Sequence, residues 1–120
     1  MPEVADTCFE SSIAGDWYDD LCKEVEYSCG FCDSVHRTIS ELEAKVREAY
    51  AKTASSMRGI YDTKEISNRW LAMWLLSEQI LSQATFLKEL NQICGADLSE
   101  IQKYRDAALE RFRLHCGAGV

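Results

Sequence analysis

Apolar positions recur every three to four residues through most of this chain, interrupted only by short polar breaks. The clearest run is Ile66, Trp70, Met73, Ser77, Ile80, Ala84, Leu87, Asn91 and Cys94, a 4-3 alternation that lines up on one face of a helix. Leu71, Trp74, Leu75 and Leu76 add apolar surface on its other faces, which marks this as the central, most buried helix. The preceding segment has a narrower stripe of Val35, Ile39, Leu42, Val46, Ala49, Thr53, Met57 and Ile60, with charged residues elsewhere, so it is an outer helix. Near the C-terminus Leu98, Ile101, Tyr104, Ala108 and Phe112 form a third stripe, and Ile13, Trp17, Leu21, Val25 and Ser28 form one at the front.

Turn signals divide these stripes. Gly59 followed by Asp62-Thr-Lys-Glu65, and Gly95 followed by Asp97-Leu-Ser-Glu100, each read as a helix end and a new capping box. At the front Gly30 is the expected break, with Asp33, Ser34, Thr38 and Ser40 as candidate restart caps. An internal glycine costs a helix only about 1 kcal/mol, so a continuous helix over about 12–58 is the competing reading. The pattern predicts an all-α protein, an antiparallel (up-down) four-helix bundle with helices over roughly 12–28, 33–58, 63–94 and 97–116. Its 120 residues suit one domain, and the single proline, Pro2, argues against an all-β fold.

Charge changes this picture at one end only. Residues 1–33 hold nine carboxylates against Lys23, a net of −8, whereas the remainder is close to neutral at +1. The total of −7 disfavours nucleic acid and anionic membrane as partners. Within the acidic front, Asp16, Asp20 and Glu24 at i, i+4 and i+8 stack like charge on one helix face. A solvated face is the plain explanation of that stripe. Phe9, Trp17 and Tyr18 interleave with Asp16, Asp19, Asp20 and Glu24, a composition suited to docking a basic protein partner. Trp17 and Leu21 equally suit an anchor of the first helix to the bundle. The Trp70–Leu76 stretch is too short to span a bilayer, and it could complete a homodimer as well as a monomer core. The start Met1-Pro2-Glu3 lacks the features of a secretory signal, which suggests a soluble, cytoplasmic protein with reduced thiols; a mature secreted domain would read the same way.

The six cysteines are the remaining chemistry. In an up-down bundle Cys22, Cys29, Cys32 and Cys94 come to one end, and Cys8 and Cys116 to the other, as a candidate disulfide. Cys29-Gly-Phe-Cys32 has the spacing of a redox dithiol. Cys22, Cys29 and Cys32 with His36 or Cys94 supply four soft ligands for zinc. Further disulfides are a third use. On one uninterrupted helix the same residues would simply face a core, since cysteine is among the most buried residue types. His115, beside Cys116, reads as a surface residue suited to a helix C-terminus.

Cys29-x-x-Cys32-x-x-x-His36 resembles the active-site signature of the alkylhydroperoxidase D and carboxymuconolactone decarboxylase family. The resemblance implies an all-helical fold and thiol-based peroxide reduction, with Cys29 and Cys32 as the redox pair and His36 as the proton relay. It covers eight positions, and Phe31 stands where the family has a histidine between the cysteines. Trp17, flanked by Asp16 and Tyr18, occupies the place of the family's upstream glutamate. The reading preferred for the chain is a cysteine-braced binding or regulatory module with an acidic N-terminal face. A thiol-dependent oxidoreductase and a small zinc-binding domain are the alternatives.

Overall fold

The computed structural model describes residues 9–27, 38–90 and 97–117, and among these it forms four helices and no strand. They are α1 (Ser11–Glu24), α2 (Ile39–Ser55), α3 (Thr63–Leu90) and α4 (Ser99–Gly117). Helix α3 packs against all three others. The 4-3 run explains why: Trp70, Met73, Ser77, Ile80, Ala84 and Leu87 are all buried, while Ile66 is half-buried. Asn91 and Cys94 of that run lie outside the described residues. Leu42, Val46, Ala49 and Thr53 bury the stripe of α2, and Ile101, Ala108 and Phe112 bury that of α4. Tyr50 joins three helices, its ring centroid 5.1 Å from Trp70 and 5.2 Å from Tyr104 in tilted contacts. Of the Trp70–Leu76 stretch, Trp70, Ala72, Met73 and Leu76 are buried within the chain's own core, and Leu75 is exposed.

The helix ends differ from the expected ones in instructive ways. Helix α1 stops at Glu24, well before Gly30, so the predicted continuation to residue 28 does not occur. Glu26 takes the left-handed conformation at φ 55°. The Tyr27 N–H then bonds back to the Cys22 carbonyl at 2.9 Å and the Glu26 N–H to the Lys23 carbonyl at 3.2 Å. This pair of bonds is a Schellman motif, which satisfies carbonyls that the helix end would otherwise orphan. The continuous helix over 12–58 is ruled out by the same observation, and again at Thr38. That residue is extended, at φ −132° and ψ 152°, and its hydroxyl accepts the Glu41 N–H at 3.1 Å. Of the four candidate restart caps Thr38 is therefore the one used, and a helix running unbroken from residue 33 is corrected to one starting at Ile39.

Left-handed backbone costs an L-residue with a Cβ about 1–2 kcal/mol, and glycine avoids most of that. Glu26→Gly is accordingly expected to raise stability by about 0.5–1 kcal/mol, read as a higher urea midpoint with an unchanged slope. Gly59, with φ +80°, already meets the same need after α2.

The two predicted capping boxes form by halves. Asp62 accepts the Lys64 N–H at 3.0 Å and Asp97 accepts the Ser99 N–H at 2.9 Å. The Ser99 N–H, and then the Ser99 hydroxyl, hold the Asp97 carboxyl below its usual pKa. The glutamates, however, turn to arginines: Glu65 to Arg69 at 2.8 Å, and Glu100 to Arg47 at 2.6 Å across to α2. Helix α4 begins at Ser99 rather than at residue 97.

Candidate functional site

Helix α1 is fixed to α3 at both of its ends. At the front, the Glu10 N–H donates to Asn68 Oδ1 at 2.8 Å, and Asn68 Nδ2 donates to the Lys64 carbonyl at 2.8 Å. Asn68 is fully buried, so these bonds are what make its amide tolerable in the core. At the rear, buried Tyr27 donates its hydroxyl to Gln83 Oε1 at 2.8 Å. Between these clamps Leu21 and Val25 are buried, and Trp17, Tyr18 and Cys22 pack partly against the core.

Trp17 is held by contacts to both α2 and α3. Its indole N–H donates to Thr53 Oγ1 at 3.1 Å, and Thr53 in turn donates to the Ala49 carbonyl at 2.9 Å. The Arg69 guanidinium sits 4.7 Å from the Trp17 ring centroid, a cation–π contact. Arg69 and Thr53 could not be read from the sequence as Trp17 partners, because their meeting depends on how α1 seats between α2 and α3.

Asp16, Asp19, Asp20 and Glu24 are all exposed, as a solvated face requires. Glu24 also pairs with Lys52 of α2 at 3.4 Å. A groove of about 350 Å³ runs beside them, lined by Trp17, Asp20, Lys23, Glu24 and Glu26. The fold thus brings three of the predicted binding residues, Trp17, Asp20 and Glu24, to one concavity. Lys23 and Glu26 join them there and were not foreseen as site residues. Phe9, 47% exposed, Asp16, Tyr18 and Asp19 do not line it. The groove's lining carries an excess of negative charge beside an aromatic ring, a chemistry that accommodates a cationic side chain.

Cys8, Cys29, Cys32, His36 and Cys94 lie outside the described residues, so the redox pair and most of the zinc set are not placed. Among the described residues no group of three or more His, Cys, Asp or Glu side chains is arranged to hold a metal. Cys22 is half-buried in α1, and Cys116 is buried near the end of α4 and disulfide-bonded. His115 is half-buried; burial, and then the charge of Arg111, hold its imidazole below the usual histidine pKa.

No family model matches the chain, and no curated protein and no solved structure is significantly similar to it. The resemblance to the alkylhydroperoxidase D family therefore rests on residues 29–36 alone. No helix among the described residues is long and apolar enough to cross a membrane.

Proposed function

We propose that this chain is a cysteine-braced helical binding or regulatory module whose first helix presents an acidic face to a protein partner with a basic surface. The observation that carries this reading is the groove lined by Trp17, Asp20, Glu24 and Glu26 together with Lys23, with the Trp17 indole held by Thr53. A lysine or arginine side chain of the partner is the occupant that such a groove fits best, because it gains both the carboxylates and the ring. Anchoring α1 at Asn68 and Gln83 keeps the face rigid, which limits the entropy lost on binding.

The up-down helix order expected of the bundle is supported by its cross-helix contacts. Glu10 meets Asn68 while Tyr27 meets Gln83, so α1 and α3 advance together. Arg105 meets Glu78 at 3.4 Å while Arg111 lies over Trp70 at 5.7 Å, so α4 runs back along α3. The disulfide at Cys116 favours an oxidising setting over the cytoplasmic one suggested by the N-terminus.

The test is a calorimetric titration with a lysine- and arginine-rich peptide and with its acidic counterpart. The basic peptide is expected to bind, with affinity falling as salt is raised from 50 to 300 mM. The charge reversal Asp20→Lys is expected to weaken it about tenfold, equivalent to roughly 1.4 kcal/mol, without moving the melting temperature. Equal binding of the two peptides, or an affinity indifferent to salt and to Asp20→Lys, overturns the proposal.

A further inference from the structure

Cations sit over aromatic rings at several places among the described residues. Both indoles capped in this way carry a guanidinium: Arg69 lies 4.7 Å from the Trp17 ring centroid, and Arg111 lies 5.7 Å from that of Trp70. Lys103, whose ammonium lies 5.1 Å from a ring, sits over the phenol of its chain neighbour Tyr104. Arg69 does more than cover its ring. Its Nε donates to Glu65 Oε2 at 2.8 Å while the guanidinium stays over Trp17. A guanidinium can do both at once, because it is planar, weakly hydrated and carries its donors in a fixed fork. An ammonium is a compact, strongly hydrated point charge, and it gives up part of one interaction to make the other.

The groove beside α1 offers the same two kinds of partner, a carboxylate and the Trp17 ring. Arg69 reaches Trp17 from α3 and Thr53 reaches it from α2. Asp20, Lys23, Glu24 and Glu26, the other residues lining the groove, belong to α1 and the turn after it. The groove therefore meets the indole on the α1 side, apart from Arg69. Asp20 follows Trp17 by three residues, so its carboxylate stands one turn along the same helix face. Glu24 is already engaged by Lys52 at 3.4 Å. Asp20 and Glu26 have no ion-pair partner among the described residues, and are open to a ligand. Lys23 sets one positive charge against the carboxylates of Asp20, Glu24 and Glu26, so the lining stays net negative.

Building on the docking reading above, we infer that the groove is an arginine subsite, which takes the guanidinium of a partner arginine in preference to a lysine ammonium. The guanidinium covers the part of Trp17 that faces the groove and directs its donors to Asp20 and Glu26. It thereby repeats what Arg69 does with Glu65 on the same ring. Lysine in that place gains the charges and forgoes the stacking.

Calorimetric titration with an arginine–glycine peptide and its lysine twin, equal in length and charge, tests this. The arginine peptide is expected to bind about fivefold more tightly. Trp17→Leu and Asp20→Asn are each expected to cut that preference below about twofold. Asp19→Asn removes the same charge outside the groove, and is expected to weaken both peptides alike with the preference intact. Thermal melts identify a variant that has lost its fold, and the exposed Asp20 carries the test if Trp17→Leu does so. Equal affinity for the two peptides overturns the arginine subsite and leaves the docking reading standing. A preference that survives Trp17→Leu and Asp20→Asn belongs to arginine in general, and it overturns the subsite as well. Binding of neither peptide overturns the docking reading and the subsite together.

Discussion

Leu76→Ala is expected to cost about 3 kcal/mol of stability, while Leu75→Ala, one residue earlier, costs under about 1 kcal/mol. The two leucines are chemically identical neighbours in the densest apolar stretch of the chain, yet Leu76 is fully buried and Leu75 is 40% exposed. Truncating Leu76 removes buried methyl groups and leaves a cavity in a core that cannot fully collapse around it, because α3 is held by three helices at once. Truncating Leu75 removes surface that water already reaches. Urea unfolding checks both, with the midpoint falling markedly for Leu76→Ala at unchanged slope. A loss of 3 kcal/mol is a large fraction of the 5–15 kcal/mol typical of a domain, so Leu76→Ala is also expected to shift the thermal midpoint visibly. Equal losses at the two positions would mean that Leu75 is covered in solution, as a homodimer through this stretch would require.

The contrast also shows what the sequence could and could not convey. The 4-3 spacing of Trp70, Met73, Ser77, Ile80, Ala84 and Leu87 identified the buried face of α3 because helical geometry leaves no other arrangement of those residues. Even the serine in that run was correctly inside, since Ser77 satisfies itself on the Trp74 carbonyl at 2.8 Å. Gly59 was legible for a similar reason, a glycine where the chain needs positive φ. Glu26 was not legible. Glutamate is a good helix former, and only the bonds from Glu26 and Tyr27 back to α1, together with the burial of Tyr27, force it into the left-handed region. Gly30 offered a stronger local signal, and tertiary packing ended the helix earlier. The capping glutamates misled in the same way: Glu65 and Glu100 have arginines within reach that sequence spacing alone does not rank above the backbone. For the candidate site, i, i+4, i+8 spacing was enough to give the acidic face. The groove required the seating of α1, which no local rule specifies.

Trp17 is where the structural and the binding roles of α1 meet, and two substitutions separate them. Trp17→Ala is expected to cost about 2–4 kcal/mol, reaching somewhat lower than for a fully buried tryptophan because the ring is half-buried. It also removes the wall of the groove and the platform under Arg69. Trp17→Phe keeps an aromatic wall and loses the N–H bond to Thr53. Thr53 is not stranded by that change, since its hydroxyl still donates to the Ala49 carbonyl, so the cost is expected to be about 1 kcal/mol. The two variants thus differ sharply in stability, which chemical unfolding measures directly. Their binding behaviour discriminates further. Phenylalanine is a weaker cation–π partner than tryptophan, so a groove that grips a basic side chain through the ring should bind the basic peptide severalfold less tightly in Trp17→Phe while the fold persists. If Trp17 serves only to anchor α1, Trp17→Phe leaves that affinity unchanged, and the acidic residues alone must account for any binding.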